Sequence, residues 1–380
     1  MTTELAHRGG VDALWRRYAV GQWSLDVDAH IERFVANPSA TRPRQALPWR
    51  FSSVLATARR VSDDSPASKR LVDAVATTGL LGLGLLSPGR RLAVDRDESL
   101  LYHVADVLNI RSPRGIVLLG PPRANQKPVI QVHDRLGRTI VYIKVAWNDL
   151  TGQLLTAEER SLRLLSTAVE RCFGVPTLIA AGFFGQSNWL AIEPLRVKRR
   201  RRASLADADR LARAIEHSAP AWSGGTRGSP YVVQLASTTS SLPTGRVAFE
   251  TVLQRWGDHP IDLAAGHGDF VPWNMLNGDP EPAVWDWERY RTAIPVGFDR
   301  IHYRVQVALH RRGSSLPDVL RLIEMEIESV LPDVTAALRK AHLDWYLVDM
   351  LSRYEADAGN DPTGALSCHV QDLHHAVMDQ

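Results

Sequence analysis

Short apolar runs separated by turn-forming residues fill the chain from residue 115 to 147. "GIVLLG" (115–120), "PVIQVHD" (128–134) and "TIVYIKVAW" (139–147) are rich in β-branched residues, and "PPRANQK" and "RLG" divide them. Runs of this length with this punctuation predict an antiparallel meander. "TAEERSLRLLSTAVE" then carries leucines at helical spacing, and "TLIAAGFF" and "NWLAIEPL" return to strand character. Five short strands with one helix after the third predict a small α+β lobe over residues 111–196. Beyond "KRRRRAS" the period lengthens, and helices are predicted at 204–217, 246–257, 296–311, 316–330 and 332–352. Residues 197–380 therefore read as a helical lobe, interrupted once, near residue 270.

Residues 1–110 read as an added N-terminal extension, mostly helical. "NPSATRPRQALP" and "SDDSPAS" are loop signals within it. "DESLLYHVADVLN" predicts a helix with Asp97 or Ser99 as N-cap. Residues 71–86, "LVDAVATTGLLGLGLL", predict a buried helix or helix-turn segment. That run is shorter than the ~20 residues a spanning helix needs, and it contains Asp73. No stable membrane insertion is expected.

Composition narrows the class. A chain of 380 residues is too long for one ordinary core. With 44% hydrophobic and 23% charged residues it has the proportions of a globular protein. A net charge of +3 argues neither for nor against a polyanionic partner. The basic run "VKRRRR" (197–202) has no interleaved aromatic residues, so it reads as a solvated loop between the lobes and no nucleic-acid partner is expected. The two cysteines, Cys172 and Cys368, lack metal-ligand spacing and fit a reducing compartment. "MTTELAHRGGVDALWRRYAV" has no apolar signal core, and a cytoplasmic location is expected.

The chemistry concentrates in "AGHGDFVPWNMLNGDPEPAVWDWERY" (265–290), where His267, Asp269, Asn274, Asp286 and Glu288 stand among apolar and aromatic neighbours. Polar side chains packed there cost free energy unless each finds a partner or a ligand. "MLNG" and "PAVWDWE" predict a hairpin that returns Asp286 beside Asn274. An amide and carboxylates converging in this way make a hard, oxygen-rich site suited to Mg²⁺ rather than zinc. Phosphoryl transfer requires such parts, and also a lysine on the nucleotide phosphates held by a glutamate. Lys144 sits inside the apolar strand "VYIKVAW". Leu155, Glu158, Leu162 and Leu165 fall on one helical stripe, which favours Glu158 as its partner over Glu159 alongside.

"HGDFVPWN" followed by "VWDWE" resembles the aminoglycoside phosphotransferase and choline kinase family, whose fold is protein-kinase-like with two lobes. The resemblance extends over about residues 112–350 and includes the lysine strand, the helix with its glutamate and the hinge-like "IEPL". It implies ATP and Mg²⁺ as cofactors and a small hydroxylated molecule as acceptor. It implies Asp269 as catalytic base, with His267 shaping the catalytic loop rather than transferring protons. Asn274 and Asp286 would be the metal ligands, and Lys144 would lie on the α- and β-phosphates. Glu193 to Leu195 would form the hinge beside adenine, Asp299 would support the catalytic loop, and Glu288 would be an additional contact near the metal. The turn "LGPPRANQKP" departs from the glycine-rich phosphate loop of protein kinases, having a single glycine.

Two other classes compete with an ATP-dependent kinase of a small hydroxylated molecule. One is a nucleotide-binding pseudokinase or scaffold, which every polar position needed for the chemistry counts against. The other is a metal-dependent hydrolase using His267, Asp269 and Asp286, which leaves Lys144 and Asn274 without a role. For the acceptor, an aminoglycoside would require an acidic pocket, whereas a sugar or amino alcohol would require mixed polar and aromatic groups. Glu324, Glu326, Glu328, Glu355 and Asp357 are the acids available in the C-terminal helices.

Overall fold

A computed structural model describes residues 31–37, 45–48, 56, 91–95, 99–119, 123–167, 172–196, 198–201, 203–310, 315–332, 334–361 and 364–379. The chain divides into two compact units, residues 1–155 with 177–194, and residues 156–176 with 195–380. It is an α+β protein whose N-terminal part is an antiparallel sheet and whose C-terminal part is mainly helical.

In the first unit, β1 (Ile31–Asn37), β2 (Gln45–Pro48) and β3 (Arg91–Asp95) precede the helix α1 (Leu100–Val107). β4 (Gly115–Leu118), β5 (Val129–His133) and β6 (Thr139–Val145) form the expected meander. The helix α2 (Asp149–Ser166) follows, its residues from 156 onward counted with the second unit, then β7 (Leu178–Phe184) and β8 (Ser187–Ile192). All eight strands join one sheet in the order β3-β1-β2-β4-β5-β6-β8-β7. Leu100, Leu101 and Val104 of α1 pack on Val117, Ile130, Val132, Val141, Ile143 and Trp189. Each such fully buried aliphatic side chain contributes about 1.5–3 kcal/mol. Gly115 permits the approach, because a Cβ there would stand 2.8 Å from Ile130 Cγ2 and 2.9 Å from Leu101 Cδ2.

Of the N-terminal region expected at 1–110, the structure describes residues 31–37, 45–48, 56, 91–95 and 99–110. Its described strands extend the sheet, with Gln45 opposite Leu118 and Ala46 opposite Val117. The physical reason is an edge: unless another strand covers it, β4 presents unpaired backbone groups. The helix predicted near residue 100 is present, with Ser99 at its N-cap position but no side-chain cap bond. Asp97 and the apolar segment 71–86 lie outside the described residues. α2 starts at Asp149, ahead of the predicted 156, because Asn148 Oδ1 accepts from the Thr151 N–H at 2.8 Å and caps the helix.

From residue 195 onward the second unit contains β9 (Lys198–Arg201), α3 (Leu205–Glu216), β10 (Trp222–Gly225), α4 (Pro230–Thr239) and α5 (Pro243–Trp256). β11 (Pro260–Gly266), β12 (Met275–Asp279), β13 (Ala283–Val284) and β14 (Arg291–Pro295) carry the polar window. The helices α6 (Phe298–Leu309), α7 (Leu316–Val330), α8 (Ala336–Ala358) and α9 (Ala365–Met378) complete it. Two small sheets, β10-β11-β14 and β13-β12-β9, lie among these helices. The core gathers Tyr231, Phe249, Leu263, Phe298, Trp345 and Leu351. "KRRR" is a strand rather than the expected loop, with Arg201 opposite Asn277 and Lys198 opposite Asp279 of β12. Among the described residues, no helix is long and apolar enough to cross a membrane.

Candidate active site

β11 ends at Gly266 and delivers His267, Gly268 and Asp269 into a tight turn. Gly268 has φ +77, and a Cβ on it would sit 2.3 Å from the Arg289 carbonyl oxygen, so the backbone path requires glycine. The turn is clamped from α6. Asp299, 2% exposed, accepts from the His267 N–H at 2.6 Å and from the Gly268 N–H at 2.9 Å, one carboxylate oxygen to each. His267 is fully buried, and both ring nitrogens serve the loop. Its Nε2 donates to the Trp285 carbonyl at 2.9 Å, and its Nδ1 accepts from the Asp269 N–H at 3.2 Å. Neither nitrogen is left for a metal, which counts against the hydrolase alternative. Among the described residues, no three His, Cys, Asp or Glu side chains are grouped as a metal centre would group them.

Asp269 keeps 31% of its side chain exposed and is engaged on both oxygens. Oδ1 lies 3.3 Å from His302 Nε2 and 3.5 Å from Arg353 Nη1. Oδ2 accepts from Asn274 Nδ2 at 3.2 Å, and the same amide nitrogen donates to the Asp269 carbonyl at 3.1 Å. Burial alone would raise the proton affinity of this carboxyl. The hydrogen bond from His302 and the charge of Arg353 outweigh it and hold Asp269 well below the usual carboxylate range. The group is ionised at neutral pH. Arg353, from α8, also donates to the Gly268 carbonyl at 2.5 Å, tying the turn to a second helix.

The hairpin expected from the sequence is present. Met275 pairs with Val284 and Leu276 with Ala283, and the Trp285 N–H donates to the Asn274 carbonyl at 3.0 Å. Asp286 follows immediately, at φ 65 and ψ 52, a left-handed conformation uncommon outside glycine. Asn274 is 4% exposed. Because its amide nitrogen is held by Asp269, its oxygen is the atom left to face a ligand. Asn274 and Asp286, one residue past the Trp285 that faces Asn274 across the hairpin, supply an amide oxygen and a carboxylate, donor types that fit Mg²⁺, which takes one or two protein oxygens and completes its shell with water and phosphate. Glu288 is buried two residues further on. Trp287 is fully buried and donates to the Val284 carbonyl, whereas Trp273 is exposed and lies 4.5 Å from the His310 ring.

The remaining expected residues lie outside this loop. Lys144 is buried in β6, opposite Val129 of β5 and Leu190 of β8. Glu193 follows β8, and its N–H donates to the Thr177 carbonyl at 2.9 Å; Glu193 is exposed and Leu195 half-buried. On α2, Glu158 is fully buried with Leu155, Leu162 and Leu165, while Glu159 pairs with Arg163 at 2.8 Å. In the turn after β4, Gln126 Nε2 donates back to the Leu119 carbonyl at 2.6 Å.

Several acids considered for an acceptor pocket have partners in the fold. Glu355 accepts from the Thr244 and Gly245 N–H groups at the start of α5. Asp357 pairs with Arg289 at 2.6 Å, and Glu328 with Arg339 at 3.2 Å. Sequence reasoning missed His302, Tyr346 and Arg353. Each occupies a long helix with no local motif, and only the tertiary fold brings them to Asp269.

No protein-family model and no curated protein matches the chain. Among solved structures the chain resembles small-molecule phosphotransferases. A thermostable variant of aminoglycoside phosphotransferase APH(4)-Ia, in ternary complex with ADP and hygromycin B, is 11% identical with a TM-score of 0.47, covering 73% of this chain and 98% of that one. A candidate fructosamine-3-kinase from Haemophilus somnus 129PT is 14% identical with a TM-score of 0.43, over 73% and 96% of the two chains. Aminoglycoside-3'-phosphotransferase of type VIII is 20% identical with a TM-score of 0.40, over 65% and 98%. At these identities and scores the likeness carries no weight on activity, and the chemistry rests on the loop itself.

Proposed function

We propose that the chain is an ATP-dependent phosphotransferase that moves the γ-phosphate to a hydroxyl of a small molecule, an aminoglycoside-, sugar- or amino-alcohol-like acceptor. The observation that carries this reading is an ionised Asp269 fixed on both oxygens, with the Asn274 amide clamped beside it. The hydroxyl oxygen attacks the γ-phosphorus, the bond to the ADP oxygen breaks, and the hydroxyl proton passes to Asp269. A carboxylate of such low proton affinity is a weak base at the outset. Its first task is therefore to accept a hydrogen bond and aim the hydroxyl, with proton transfer following as the new P–O bond forms.

Asn274 and Asp286 would hold Mg²⁺, which when bound neutralises phosphate charge. Lys144 would contact the α- and β-phosphates with Glu158 orienting it. The Glu193 carbonyl, whose own N–H is already committed, would accept from adenine, and Leu195 would complete the hinge. The test is acceptor-dependent ADP release by the full chain across a panel of aminoglycosides, sugars and amino alcohols. Asp269→Asn should abolish that release while leaving ATP binding in place, because the amide keeps the shape but cannot take the proton. ATP binding without turnover of any acceptor would transfer the assignment to a pseudokinase.

A further inference from the structure

His302 lies one turn beyond Asp299 on α6 and is 1% exposed. Its Nε2 faces Asp269 Oδ1 at 3.3 Å, and its Nδ1 faces the Tyr346 hydroxyl of α8 at 3.2 Å. Tyr346 is equally buried, and burial holds its hydroxyl well above the usual phenol range, so the O–H remains a donor. An unprotonated Nε2 would set its lone pair against a carboxylate in a water-poor site, an arrangement that is repulsive. The proton therefore belongs on Nε2, and Nδ1 accepts from Tyr346. A single file of donors runs from Tyr346 through His302 to Asp269.

We propose that His302, locked in its Nε2–H form by Tyr346, is a positioning residue for phosphoryl transfer that fixes the rotation of the Asp269 carboxylate toward the acceptor hydroxyl. This role rests on the phosphotransferase reading above. Arg353 cannot replace it, because its guanidinium is tied to the Gly268 carbonyl and stands further from Oδ1, at 3.5 Å. Asn274 holds the other oxygen and would act as a pivot on its own. Without His302 the carboxylate could turn about that pivot and lose aim, while the nucleotide contacts would be untouched. Loss of a hydrogen bond to a charged group in the reacting geometry corresponds to a fall in kcat of roughly tenfold or more.

The test has two arms. Long-range ¹H–¹⁵N correlations on the labelled full chain, with the ring assigned by its loss in His302→Gln, report the tautomer without any turnover. The Nε2–H form is expected, and a neutral Nδ1–H form overturns the proposal. In the kinetic arm, His302→Leu should lower kcat about tenfold or more with KM for ATP changed by less than about twofold. His302→Gln should recover part of the loss through its side-chain N–H, and Tyr346→Phe should give a smaller fall in kcat. Unchanged kcat in His302→Leu, or a loss appearing equally in KM, overturns the positioning role alone. A wild-type chain that binds ATP yet turns over no acceptor overturns the phosphotransferase reading, and the role with it.

Discussion

Asp299 is the residue on which the turn at 267–269 depends most directly. Its two carboxylate oxygens accept the His267 and Gly268 N–H groups at 2.6 and 2.9 Å, and no part of this contact is open to solvent screening. Asp299→Ala removes both acceptors at once and leaves two buried donors without partners. A hydrogen bond to a charged group contributes about 1.5–3 kcal/mol, so the expected loss is roughly 3–6 kcal/mol. That is a large share of the ~5–15 kcal/mol that holds a typical domain together. Asp299→Asn should lie between, because one oxygen still accepts while the amide N–H₂ confronts the second donor. Urea unfolding followed by tryptophan fluorescence measures this, since Trp285 and Trp287 flank the turn. A loss below about 1 kcal/mol with an unchanged m-value would mean that the clamp does not hold the loop.

Asp286→Ala should weaken Mg²⁺·ATP binding far more than binding of metal-free nucleotide, and equal losses in calorimetric titrations with and without Mg²⁺ would remove Asp286 as a ligand. Lys144→Met should lower kcat/KM by orders of magnitude with little change in unfolding, and Glu158→Gln should give a smaller defect of the same kind. A double variant whose defect equals the product of the two would show that they act independently. Asp349 supplies a pH test: burial would raise its proton affinity, but the charge and hydrogen bond of Arg291 at 2.7 Å, aided by Arg353 and Tyr231, lower it. Its contribution is therefore present above the unfolded carboxyl pKa of about 4 and lost as pH falls through the lower folded value, so Asp349→Asn should destabilise at pH 7 and the gap to wild type should close in acid.

Strands 115–118, 129–133 and 139–145 were legible because β-branched runs between turn residues leave few alternatives. The helices at 205–216 and 316–330 were legible for a similar reason, since each repeats apolar residues on one face behind a serine cap. Residues 230–239 were not, although Ser229 caps them and Pro230 opens the helix. "YVVQLASTT" is rich in β-branched residues, and it is held as helix by burying Tyr231, Val232 and Leu235 in the helical core. The strand at 198–201 was missed because a run of arginines carries no period. Its pairing comes from β12 and not from its own side chains.

The candidate site divides along the same line. His267, Asp269, Asn274 and Asp286 lie within twenty residues of one another, and the hairpin that joins them needs only local chain reversal. Such proximity is visible in one dimension. What fixes Asp269 is not local, because Asp299, His302 and Arg353 come from α6 and α8 and reach the loop only once the helical core has packed. Their residue types gave some signal: Asp299 and His302 are buried and Arg353 half-buried, and ionisable groups so placed must find partners. The sequence does not say which partners. The chemistry of the loop can therefore be proposed from a motif, whereas the direction of its carboxylate is decided by two helices that the motif does not mention. A change in how α6 or α8 packs should alter turnover without touching any residue of the loop.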